Sequence, residues 1–262
     1  MKFVDTHSHI YLSNYDDDRD VVISDAAKTG TDTLLLPAID SESHERMLDC
    51  CSKFPNVCYP MIGIHPTSVD PKNIDKEIDI IYDLLDKTKF YAIGEIGIDL
   101  YWDKTNAQLQ EDVFRKMLDI AVDKNLPVSI HIRNSFNEVW RILKKEYNGK
   151  VTGVLHCFPG NVIQAKEVIE HGFYLGIGGV VTFNNSNMQK VIADLGISNI
   201  VLETDSPYLT PAPYRGKRNS PEYIKIIAQK VADITSMPLE KVAEVTTNNA
   251  LKLFNINPKK FI

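Results

Sequence analysis

The chain has 262 residues, 44% of them hydrophobic and 24% charged, and its 29 Lys and Arg against 35 Asp and Glu leave a formal charge of −6. A compact chain of this length buries roughly 75% of the surface its unfolded form exposes, so a full core needs no staples, and the composition excludes a disordered, collagen-like or coiled-coil chain. Mild acidity excludes broad nucleic-acid coating, which takes a basic domain, but leaves room for one local basic site.

The N-terminal run Met1-Lys2-Phe3-Val4-Asp5-Thr6-His7-Ser8-His9 turns polar at once and carries no signal-peptide pattern. No apolar run approaches the ~20 residues of a membrane helix. Cys50, Cys51, Cys58 and Cys157 are too irregularly placed for a disulfide framework and contain no Cys-x-x-Cys pair, so they read as free thiols. The expectation is a cytoplasmic protein with no membrane attachment and no obligate protein partner.

Along the chain, short β-rich runs alternate with amphipathic helical segments. Residues 3–9, 33–37, 57–64, 91–98, 127–132, 152–156, 174–177 and 200–204 read as strands, rich in β-branched and aromatic side chains. Residues 107–124 place Leu109, Val113, Met117, Ile120 and Ala121 on one helical stripe. Residues 161–171 open with a capping Asn and stop before Gly172. Residues 221–235 turn Tyr223, Ile226, Ile227 and Val231 inward, and residues 238–254 start with Pro in the first turn. Strand–helix alternation means parallel pairing through right-handed crossovers. Eight strands in ~250 residues suit a single (β/α)8 TIM barrel over residues 1–262, an α/β fold with its active site at the C-terminal ends of the strands. A doubly wound sheet is the alternative; the Gly-x-Gly-x-x-Gly signature that would favour it is absent. Gly176-Ile177-Gly178-Gly179 comes nearest and reads as strand bending or close packing.

The polar residues at those strand ends carry the chemistry. The first strand ends in His7-Ser8-His9, and residues two apart on a strand face the same side. One strand histidine is usually structural; two at this spacing make a chelating pair for a divalent metal. The fourth strand sets Glu95 in an apolar run, where an unpaired carboxylate is expensive and calls for a cation or strong donors. The fifth delivers His131, the sixth His156 and the eighth Asp205. Four histidines and two carboxylates on one rim suffice for two divalent metals, with one carboxylate bridging and positions left for water.

The strand-end order, together with Asp-Thr-His-Ser-His, Gly63-Ile64-His65-Pro66, Gly-Glu-Ile-Gly-Ile-Asp, His156-Cys-Phe, Glu-Thr-Asp-Ser-Pro-Tyr-Leu and Pro213-Tyr214-Arg215-Gly216-Lys217-Arg218-Asn219, resembles the TatD family of metal-dependent deoxyribonucleases, amidohydrolase-like metallo-barrels. The likeness runs from Phe3 to the C-terminal helix. Departures are small: Asn134 for an Asp, Pro159 for a Ser and Ser220 for a Glu. The resemblance implies His7, His9 and Asp205 at one metal, His131 and His156 at the other, and Glu95 bridging. It further implies Glu95 and Asp205 as the catalytic carboxylates, Asp205 accepting a proton from the attacking water.

His65 reads as a phosphate ligand or a neighbour of the metal ligands, the plain alternative being a loop-ordering histidine. Arg133, Arg215, Lys217 and Arg218 read as phosphate contacts for DNA, against the plain alternative of a solvated surface. Tyr101, Trp102, Phe158, Tyr208 and Tyr214 could stack unpaired bases or pack the loops. His44 and His171 read as surface residues, Cys157 as packing away from the site, and Glu203 as a supporting acid. The expected cofactors are two divalent ions among zinc, magnesium, manganese, iron and nickel. Single-stranded or frayed DNA is the expected substrate. Two other readings stay open: hydrolysis of another ester or amide, such as aminoacyl-tRNA or a lactone, and a non-catalytic nucleic-acid-binding barrel.

Overall fold

The computed structural model describes residues 1–102 and 104–257. Eight parallel strands run in chain order: β1 (Phe3–Asp5), β2 (Thr31–Pro37), β3 (Cys58–Met61), β4 (Ile93–Asp99), β5 (Val128–Arg133), β6 (Gly153–Leu155), β7 (Tyr174–Ile177) and β8 (Ile200–Leu202). Regular pairing forms a three-stranded sheet, β1-β2-β3, and a five-stranded sheet, β4 to β8. Backbone bonds bridge both gaps between them. Thr6 N–H donates to the Leu202 carbonyl and Asp205 N–H to that of His7, while Gly94 N–H donates to Ile62. The result is the eight-stranded α/β barrel that the alternation predicts.

Between the strands lie α1 (Arg19–Thr29), α2 (Ser41–Lys53), α3 (Ile74–Lys87), α4 (Ala107–Lys124), α5 (Phe136–Glu146), α6 (Val162–Glu170), α7 (Asn187–Leu195), α8 (Ile224–Thr235) and α9 (Leu239–Leu253). Asn161 accepts from the N–H groups of Ile163 and Gln164, and the Gln164 side chain accepts from Asn161 N–H, a full capping box for α6. One helical stripe shifts from expectation. Pro221–Tyr223 form a 3-10 turn, with three residues per turn instead of 3.6, so Ile224, Ile227, Ala228 and Val231 face the core. Tyr223 and Ile226 are left half-buried.

Most of the apolar core lies between strands and helices, but a second cluster has a different geometry. Val4, Leu35, Met61, Ala92, Val154 and Val201 meet one another and Ala250, Leu253, Phe254 and Ile256. Side chains from strands on opposite sides of a ring meet only through its interior, so this cluster fills the barrel end away from the site and α9 closes it. Strand alternation then stacks Glu203 above Val201 and His156 above Val154 on the same inner face, and a left-handed turn at Asp205 brings its carboxylate beside them.

Two sequence expectations are corrected. His44 is buried, with only 3% of its surface exposed, because α2 turns it inward with Ser43 and Met47. His171 is half-buried; its Nδ1 lies 2.8 Å from the Glu167 carbonyl and its ring meets the Trp140 ring edge-on.

Candidate metal centre

The donors converge at the C-terminal mouth. The Nε2 atoms of His7 and His9 lie 3.2 Å apart, and Glu95 Oε2 sits 3.1 Å from the first and 3.5 Å from the second. The other carboxylate oxygen, Oε1, lies 2.9 Å from His131 Nδ1 and 3.5 Å from His65 Nε2. His156 stacks on His7 at 3.5 Å between ring centroids, with its Nε2 3.9 Å from both Glu95 Oε1 and Asp205 Oδ1. Asp205 Oδ1 is 3.6 Å from His9 Nε2. Glu95 therefore stands between two groups of imidazoles, one carboxylate oxygen toward each.

The donor set fits divalent cations. Donor atoms of His7, His9 and Glu95 lie within 4.8 Å of one another, as do those of His7, His156 and Asp205, and those of His65, Glu95 and His131. A cation takes lone pairs from three such atoms at once, whereas a single proton serves one pair. Mixed imidazole and carboxylate donors suit zinc, manganese, iron or nickel, with magnesium favoured only as carboxylate and water dominate.

Partners behind the donors hold them in place. Asp99 Oδ2 lies 3.0 Å from His131 Nε2, and Glu203 Oε1 lies 3.0 Å from His156 Nδ1. Ser129 Oγ is 3.3 Å from His7 Nδ1. Gly176 makes room for Glu203: a Cβ there would sit 2.4 Å from its carboxylate. This is the close packing expected of that glycine run. Asp99 has no role in the sequence reading, although it stands four residues beyond Glu95 on the same strand face, and that spacing is the signal that could have found it.

Charge follows from this arrangement. Burial opposes ionisation of Glu95, but His7, His65 and His131 hold it well below the usual carboxylate range. Burial works against a charged His156, yet Glu203, Asp205 and Glu95 lift it to about 10. His131 is likewise raised, burial being outweighed by Asp99 and Glu95. Burial raises Asp205 to about 6 against the pull of His156 and His9. Without a cation, imidazolium groups balance the clustered carboxylates.

The phosphate contacts expected from sequence separate. Arg133 lines the cavity, its guanidinium 4.0 Å from the Tyr101 ring centre and 5.3 Å from that of Trp102. Arg218 does not: it grips Asp18 with both Nη atoms and the Asn14 carbonyl with Nη1, pinning the segment before α1. Its charge is spent on the fold. Arg215 lies over Phe183 and Lys217 over Tyr214, and neither lines the cavity among the described residues. Trp102, Phe158 and Tyr208 do line it, whereas Tyr214 stacks on Tyr223 in a separate groove. Cys157 is also corrected. Its φ of 45° turns the chain so that it joins the cavity wall, and its N–H donates to Glu203 Oε1.

The model of the family described as TatD related DNase matches residues 4–255. The chain belongs to the TatD family. It is 38% identical over 255 residues to the uncharacterized metal-dependent hydrolase YabD of Bacillus subtilis (strain 168), covering 97% of this chain and 99% of that protein. It is 33% identical over 256 residues to the uncharacterized metal-dependent hydrolase MJ1582 of Methanocaldococcus jannaschii, covering 97% of each. The crystal structure of YjjV, a TatD homologue from Escherichia coli K12, superposes with a TM-score of 0.89 at 27% identity, covering 97% of this chain and 98% of that one. This TatD-family chain is a metal-dependent hydrolase with an amidohydrolase-like barrel. Among its described residues no helix is long and apolar enough to cross a membrane.

Proposed function

We propose that this hydrolase cleaves DNA phosphodiester bonds from single-stranded or frayed ends, with two divalent cations held by His7, His9, Glu95, His131, His156 and Asp205. The observation that carries the reading is the meeting of these donors, five of them lining one cavity of about 820 Å³ with His7 buried against them, in a chain that matches its family over residues 4–255. Bound there, such cations would polarise a phosphoryl oxygen and acidify a water toward neutral pH. Glu95 spans the two imidazole groups, and its negative charge would offset the repulsion between two cations held there. Asp205, at the inner end of the cavity wall, is the base for the attacking water. Its Oδ1 lies 3.6 Å from His9 Nε2 and 3.9 Å from His156 Nε2, beside the atoms that would hold the cation and its water.

The mouth favours a strand end. Arg133 offers one cation for a phosphate, and Trp102 and Tyr208, 69% and 51% exposed, offer ring faces to unstacked bases at about 1–3 kcal/mol each. A closed duplex presents its bases stacked inside and its phosphates outside a recess. The four free cysteines agree with a reducing, cytoplasmic setting.

The test is hydrolysis by metal-stripped protein, reconstituted ion by ion, on 3′- and 5′-labelled single strands and on closed duplex. Chelator-sensitive shortening of single strands from an end, faster than any cut in closed duplex, is expected. A metal-loaded protein that cleaves neutral esters but no phosphodiester would overturn the reading.

A further inference from the structure

Tyr11 is fully buried, two residues beyond His9, and nothing above gives it work. Its hydroxyl lies 2.7 Å from the Pro37 carbonyl oxygen and 3.1 Å from His9 Nδ1. A carbonyl oxygen only accepts, so the single phenol proton goes to Pro37. Toward His9 the phenol oxygen then has only lone pairs to offer, and Nδ1 must be the donor. That leaves Nε2 as the atom without a proton in the neutral ring. Nε2 is the atom 3.2 Å from His7 Nε2 and 3.5 Å from Glu95 Oε2.

The backbone of Tyr11 is held as firmly as its hydroxyl. Arg19 Nη2 and Arg46 Nε both donate to its carbonyl oxygen, at 2.9 and 3.2 Å, and both guanidiniums also reach Asp16 Oδ1. Pro37 ends β2, so the phenol ties His9 to the neighbouring strand.

We propose that Tyr11 is a positioning residue of the metal centre: its hydroxyl, tied to the Pro37 carbonyl, fixes His9 as the Nδ1–H tautomer and frees Nε2 to ligate a cation. The behind-the-ring partner here is neutral, whereas His131 and His156 face the carboxylates of Asp99 and Glu203. Carboxylates strengthen a ligating imidazole as donors, while a phenol mainly orients it. Tyr11 therefore acts on a cation held by His7 and His9.

The inference rests on cation binding and is independent of whether DNA is the substrate. Zinc affinity of the unsubstituted protein, measured by chelator competition, tests that foundation separately. Tyr11→Phe is expected to weaken one zinc site about tenfold and leave the other unchanged. Tyr15→Phe is the control, since it removes an equally buried phenol that donates to the Asn219 carbonyl at 2.7 Å and touches no donor. It should lower the unfolding temperature about as much as Tyr11→Phe and leave both zinc affinities intact. In ¹⁵N-histidine spectra of the metal-free protein at pH 8, the His9 ring should show a protonated Nδ1. A protonated Nε2 there, or unchanged zinc affinity in Tyr11→Phe, would overturn the assignment.

Discussion

Asp205 is held with φ of 56°, in the left-handed region that few residues besides Gly, Asn and Asp tolerate. Its N–H donates to the His7 carbonyl, so the turn that bends the backbone also locks it to β1. Strain kept at such a point is recovered from the surrounding bonds and aims the carboxylate at His9 and His156. Asp205→Asn keeps an oxygen for a cation and removes the basic one for a proton. It should cut hydrolysis at least a hundredfold while metal content per chain falls little; turnover near that of the parent would remove Asp205 from proton transfer. The individual donors were legible at this scale. His7, His9, His156 and Asp205 follow the ends of their strands, and Glu95 and His131 lie within β4 and β5, so chemistry-bearing residue types are visible one strand at a time. Arg218 was not legible, because its partner Asp18 is 200 residues away and a charge cluster reads the same whether free or spent.

Among the elements, α4 and β7 have the bounds read from sequence, since their periodicities are unbroken and their ends carry clear stops. β1, β3, β6 and β8 end before the strand runs read from sequence, whereas β4 and β5 reach one residue further. β1 stops at Asp5, yet Ser8 N–H still donates to the Leu35 carbonyl and His9 N–H to that of Ser206. The chain there leaves the regular ladder to serve two neighbours and to turn its side chains inward. β4 shows how closely such strands approach. Gly97 has φ of 146°, and a Cβ on it would sit 2.1 Å from the backbone oxygen of His131. Gly97→Ala should therefore destabilise the protein by about 2–3 kcal/mol in urea titration and weaken metal binding by displacing His131. A variant with parental stability and metal affinity would show that β4 and β5 can part without cost. Cβ clearance is invisible in the word Gly-Glu-Ile-Gly-Ile-Asp, which marks only that a strand bears two glycines.

For the whole molecule, the donors come from strands all around the ring, so cation binding couples to the stability of the barrel. Ligand at a hundred times its dissociation constant adds about 2.7 kcal/mol, equivalent to about 5 °C or more in Tm for a chain of this size. The gain depends on pH in a definite direction. His131 is raised and His156 lifted to about 10, so at neutral pH the metal-free centre holds protons that a cation must displace. Fewer protons stand in the way as pH rises, and zinc affinity should climb about tenfold or more per pH unit between pH 6 and 8. Calorimetry in buffers of different ionisation enthalpy checks this through proton release, and an affinity flat over that window would remove the imidazolium pair.

Local order sufficed for the alternation of strands and helices, the polar strand ends and the words shared with the TatD family, because each depends on residues a few positions apart. Which donors touch, what stands behind them and which cations are already paired depended on the closing of the ring. Tyr11 against Pro37, Asp99 against His131 and Glu203 against His156 are contacts between neighbouring or facing strands, and the distance across a barrel is fixed by packing of the whole chain rather than by spacing along it.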